Sequence, residues 1–114
     1  MANITQREVF IMEYRHFGNT IYLRLDPKEE ILEEIGKVAK KENIRLAQVT
    51  GLGAINDFTA GVYNTVTKEY HSIQFQGAFE IVSLTGTVTR KDGDVYLHLH
   101  IAAGDEKGHV HGGH

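Results

Sequence analysis

Hydrophobic positions along this chain follow two periods, and they divide it into a helical stretch set among strands. Val9–Arg15 and Thr20–Leu25 carry strand composition, with His16-Phe17-Gly18-Asn19 between them as a turn, so the opening predicts a β-hairpin. From Ile31 the spacing changes. Ile31, Leu32, Ile35, Val38 and Ala39 recur at helical intervals and form one apolar stripe. Asp26 is a suitable N-cap, Pro27 suits a first helical position, and Glu29 and Glu30 complement the positive end of the helix dipole. Lys40 and Lys41 suit the last turn, and Asn43 is a suitable stop. After the helix, period-two alternation predicts strands at Arg45–Thr50, Phe58–Asn64, Tyr70–Phe75, Glu80–Thr89 and Val95–Ile101. Gly51-Leu52-Gly53 is a candidate turn, bend or strand crossing, and Lys91-Asp92-Gly93-Asp94 a candidate turn. One helix followed by a run of strands predicts an α+β fold: a mainly antiparallel sheet with one principal helix packed on it.

Composition narrows the picture. The 114 residues suffice for one domain and one core, so residues 1–114 are expected to form a single domain. Hydrophobic residues at 41% and charged residues at 24% fit a folded globule rather than a disordered chain. No apolar run is long enough to span a bilayer, and Met1–Glu8 lacks a signal-peptide layout, so a cytoplasmic setting is expected. With no cysteine, a transition-metal site must use imidazole nitrogens and carboxylate oxygens. A net charge of −3 weighs against general nucleic-acid binding, although a local basic patch stays open.

The chemistry lies in the histidines. Five of the seven fall between His98 and His114. In the predicted strand Val95–Ile101, alternation puts Val95, Leu97, Leu99 and Ile101 on one face and Tyr96, His98 and His100 on the other. Imidazoles two residues apart on one strand face can tilt toward one ion as a bidentate clamp. The competing reading is two solvated histidines on a polar face. The following segment, Gly108-His109-Val110-His111-Gly112-Gly113-His114, favours the clamp. Its double glycine gives backbone freedom to bring His114 back toward His98 and His100. Three nitrogen ligands would then leave a position open for water or substrate. His109 and His111 read as exposed loop histidines, and His16 and His71 as structural.

The stretch Gly77-Ala78-Phe79-Glu80-Ile81-Val82-Ser83-Leu84-Thr85-Gly86-Thr87-Val88, then His98-Leu99-His100, then Gly112-Gly113-His114, resembles the plants-and-prokaryotes-conserved (PPC) domain, and Gly51-Leu52-Gly53-Ala54-Ile55 and the hairpin-plus-helix opening are similar as well. The resemblance covers nearly the whole chain. It implies an antiparallel sheet with a helix against it, assembling as a homotrimer. It also implies that His98, His100 and His114 are metal ligands near a subunit boundary. Prokaryotic members often bear a DNA-binding label. Plant members carry a separate AT-hook, and no Arg-Gly-Arg-Pro occurs here. The family pattern normally continues past Gly-Gly-His with a further strand or two, whereas this sequence stops at His114: either the protein is naturally short or a tail is omitted, and a sheet without those strands would have an unpaired edge.

Glu80, counted by twos, shares a face with Val82, Leu84 and Val88, where a carboxylate is costly to bury unpaired. It is a candidate general base, outer partner of a histidine or fourth ligand; an exposed strand end is the plainer alternative. In the plant members the matching segment looks like a contact for protein partners. Three function classes stay open at this point. The first is a metal-binding homo-oligomer, with zinc the first choice and nickel, copper or iron compatible. The second is a metal-dependent enzyme acting on a small polar substrate. The third is a DNA-associated regulatory module working through protein partners.

Overall fold

The computed structural model describes residues 12–114, and its contacts group the chain into two units, one ending at Asn43 and one running from Ile44 to His114. The architecture is α+β, with antiparallel strands and, among the described residues, one helix.

In the first unit, β1 (Glu13–Phe17) and β2 (Thr20–Arg24) form the expected hairpin, although the predicted positions 9–11 lie outside the described residues. Phe17 pairs with Thr20, so the turn is only Gly18-Asn19, with Gly18 at φ 60° as a primed hairpin turn requires. The helix, α1 (Ile31–Lys41), begins later than expected. Asp26 is not its N-cap and Pro27 is not inside it. Lys28 at φ 76° cannot belong to a right-handed helix, and the Asp26 carboxylate is buried against the Arg24 guanidinium at 3.2 Å. Glu30 caps instead, its side chain accepting from the Glu33 N–H at 2.6 Å. At the other end Asn43 takes φ 50°, and its N–H donates to the Lys40 carbonyl, which stops the helix as expected. The buried face carries Val38, Ala39 and a Glu34 paired with Lys37 at 3.0 Å, whereas Leu32, expected in the apolar stripe, is exposed.

The second unit is a four-stranded antiparallel sheet, in the order β3 (Ala47–Asn64), β4 (Glu69–Lys91), β5 (Asp94–Gly104) and β6 (Val110–Gly113). Arg45–Thr50 and Phe58–Asn64 are thus ends of one strand, and so are Tyr70–Phe75 and Glu80–Thr89. Gly51-Leu52-Gly53 does not turn the chain. The strands run through two register shifts, at Gly51/Gly53 against Leu84/Ile81 and at Ile55/Asp57 against Phe79/Gln76. At each shift β4 holds an extra residue, and an extra residue moves the following side chains to the other face. Alternation counted across a shift therefore fails, which is why two long strands look like four short ones. Asp92-Gly93, at φ 52° and 86°, makes the tight turn from β4 to β5 that its dipeptide predicts.

Phe58, Ala60 and Ala103 form the buried centre of the sheet's inner face, with Ile55, Phe75, Phe79 and Ile101 against it. Phe58 stacks on Phe75 at 5.1 Å and meets Phe79 edge-on at 5.3 Å. Val88 and Leu99 continue the buried row, leaving the opposite face of β5 to Tyr96, His98 and His100. The edges of the sheet also meet: the Gly61 and His114 backbones exchange reciprocal hydrogen bonds of 2.9 and 2.8 Å, tying the end of β6 back to β3.

Candidate metal centre

β5 supplies the first two imidazoles. Its uninterrupted alternation through Val95–Ile101 buries Leu99 and exposes His98 and His100 on one face, as the sequence predicts. Their Nε2 atoms lie 3.2 Å apart and their ring centres 5.2 Å apart. On β4, Thr87 pairs with His98 and Thr85 with His100, so uncharged hydroxyl side chains border the two rings.

β6 brings the third. It pairs antiparallel with β5 so that Gly113 stands opposite Ile101, which carries the next residue, His114, to the level of His100. The His114 ring centre is 4.8 Å from that of His98 and 5.5 Å from that of His100. The double glycine acts through close approach as well as freedom. A Cβ on Gly112 would run into the Ile101 carbonyl, and one on Gly113 into the Gly61 carbonyl. Tyr70 completes the placement, its hydroxyl donating to the His114 carbonyl at 2.5 Å and its ring meeting the His114 imidazole edge-on at 5.6 Å. Sequence reasoning missed Tyr70, because nothing local links it to a residue 44 positions away.

Among the described residues, no three His, Asp or Glu side chains stand as a group able to hold an ion without adjustment. The donor set nevertheless suits a borderline metal. With Zn–N bonds of about 2.0–2.1 Å and tetrahedral angles, ligand nitrogens lie about 3.3 Å apart and imidazole centres roughly 5 Å apart. Ring separations of 4.8 to 5.5 Å fall around that value, and the 3.2 Å between the His98 and His100 Nε2 atoms matches the nitrogen spacing.

The remaining candidates lie elsewhere. Glu80 is exposed and pairs with Ala54 and Gly104, four positions along β5 from His100, or about 13 Å. The register shift at Ile81/Ser83 separates it from the buried face of Leu84 and Val88, which overturns the count by twos. His111 is not a plain loop histidine: it sits on β6 opposite Ala103, against Phe75 at 5.1 Å and Phe79 at 6.0 Å. Its Nε2 meets Asp105 Oδ2 at 3.0 Å, and the backbone N–H groups of Lys107 and His109 donate to Oδ1. The His111 hydrogen bond, foremost, holds the Asp105 carboxyl down at about 2. His109 is exposed, as expected. His16 binds Glu42 at 2.5 Å beside the Tyr14 hydroxyl, and His71 is exposed near Glu69.

Among the described residues, no helix is long and apolar enough to cross a membrane. No curated protein matches the sequence. Several solved structures share the fold, among them the following three. A candidate DNA-binding protein from Bacteroides thetaiotaomicron is 31% identical with a TM-score of 0.86, over 90% of this chain and 72% of its own. A plant- and prokaryote-conserved protein from Pyrococcus horikoshii is 34% identical with a TM-score of 0.73, over 91% and 66%. A protein from Archaeoglobus fulgidus, described as metal-containing, is 26% identical with a TM-score of 0.72, also over 91% and 66%. The chain thus spans about two thirds of the length of the last two. The model of the Plants and Prokaryotes Conserved domain (PCC, also written PPC) matches residues 12–114, and the chain belongs to that family.

Proposed function

We propose that this domain binds a divalent transition metal, zinc first, through His98, His100 and His114, and does so as a homotrimer. The carrying observation is the meeting of three imidazoles, two from β5 and one from the residue after β6, at ring separations suited to one ion. The metal-containing relative from Archaeoglobus fulgidus supports the same reading. The large apolar side chains left exposed, Leu46, Leu52 and Val82 among them, favour self-association. Elemental analysis and zinc titration of tag-free protein test the metal. One ion per chain is expected, and replacing any of the three histidines by alanine should weaken binding at least as much as losing an outer-shell partner, about 10–100-fold. Normal stability with no zinc uptake would reject the proposal. Sedimentation equilibrium should return three times the chain mass, and a monomer would reject the trimer.

Zinc, when bound, supplies a Lewis acid and acidifies a coordinated water toward neutrality. The three neutral imidazoles would leave its charge uncompensated, and the Thr85 and Thr87 hydroxyls beside them can orient a small polar or anionic ligand. Hydrolase or lyase turnover that requires both zinc and His114 would make the domain an enzyme; silence across such substrates would leave binding alone.

The description of the Bacteroides relative favours a second reading, a DNA-associated module. The charge of −3 weighs against direct contact and toward protein partners met through the exposed side chains of Glu80 and Val82. A low-salt gel shift with steep salt dependence would revive direct binding.

A further inference from the structure

β6 has only four residues, and the third imidazole stands just beyond it. If so short a pairing opened, His98 and His100 would remain a two-nitrogen clamp and the third donor would leave. Two features oppose opening. The His114 backbone exchanges hydrogen bonds with Gly61, in an approach so close that a Cβ on Gly113 would collide with the Gly61 carbonyl. Tyr70, reaching across from β4, donates its hydroxyl to the same His114 carbonyl and lays its ring edge against the imidazole. One side chain thus fixes both the backbone and the ring plane of the third donor.

Resting on the three-histidine reading, we infer that Tyr70 is a positioning residue for His114, so that metal affinity depends on a phenol that does not touch the ion. The hydroxyl acts by keeping the third nitrogen in place before the metal arrives, which reduces the ordering that binding must otherwise supply. The ring edge limits rotation of the imidazole.

The test is a double-mutant cycle on the tag-free full chain, read by chelator competition for zinc and by the visible absorption of the cobalt(II) form. Tyr70→Phe keeps the ring and removes only the hydroxyl of an exposed residue. It should weaken zinc binding about threefold to tenfold, the worth of one net hydrogen bond. It should also lower the cobalt band intensity and speed hydrogen exchange of the His114 amide in metal-free protein. In a His114→Ala background the same change should have no effect on affinity. Tyr63→Phe, on the residue paired with Tyr70, should leave binding unchanged. Unaltered affinity in Tyr70→Phe, or an equal loss with His114 already removed, would overturn the inference while leaving the three-histidine site standing. Wild-type protein that takes up no zinc would remove both.

Discussion

Asp105 holds its carboxylate against the His111 ring at 3.0 Å and collects two backbone N–H groups on its other oxygen. Those bonds favour the charged form and keep its pKa at about 2, below the ordinary 3.8. A depressed carboxyl stabilises the fold at pH above its unfolded value, and that contribution is lost as pH falls through the folded one. The β5–β6 loop should therefore loosen between about pH 4 and pH 2. Carboxyl carbon NMR should give Asp105 a midpoint near 2; a midpoint near 3.8 would mean the bonds are not made in solution. The residue scale also explains what alternation could and could not tell. His98 and His100 were legible because β5 runs through them without a register shift. His111 was not, because its partners Phe75 and Phe79 belong to a distant strand and Asp105 to a loop.

At the scale of elements, glycine contacts and register shifts set the geometry. Gly86 stands opposite Leu99, behind the two strand histidines, and a Cβ there would collide with the His98 carbonyl. Gly86→Ala should cost about 1–3 kcal/mol, the scale of a core overpacking. The urea midpoint should fall at unchanged slope; an unchanged midpoint would mean that β4 and β5 are less closely apposed. The hairpin turns were legible from Gly18-Asn19 and Asp92-Gly93, since local backbone chemistry decides them. The length of β3 and β4 was not, because three register shifts redirect their side chains. The helix start was misjudged by one turn for a similar reason: Asp26 and Pro27 look like a cap and first turn, but the positive φ of Lys28 and the Arg24 pairing commit Asp26 to the preceding turn. β6 escaped notice because Val-His-Gly-Gly has almost no strand signature; pairing with β5 makes it a strand.

At the scale of the whole molecule, the proposed site joins β5 to β6, and β6 is itself fastened to β3. An ion held by His98, His100 and His114 would bind the folded sheet and not the unfolded chain, and so raise its stability by mass action. Zinc at a hundred times its dissociation constant should add about 2.7 kcal/mol, which for a domain of this size is a rise of roughly 10 °C or more in melting temperature. Calorimetry with and without chelator checks this. His114→Ala should remove most of the rise, and an equal rise in that variant would place the ion elsewhere. The most direct measurement is anomalous diffraction at the zinc edge from crystals of tag-free protein grown with zinc. The account predicts one strong peak per chain within about 2.0–2.1 Å of a ring nitrogen of each of His98, His100 and His114. Full zinc occupancy at other residues, with these three rings ligand-free, would contradict it.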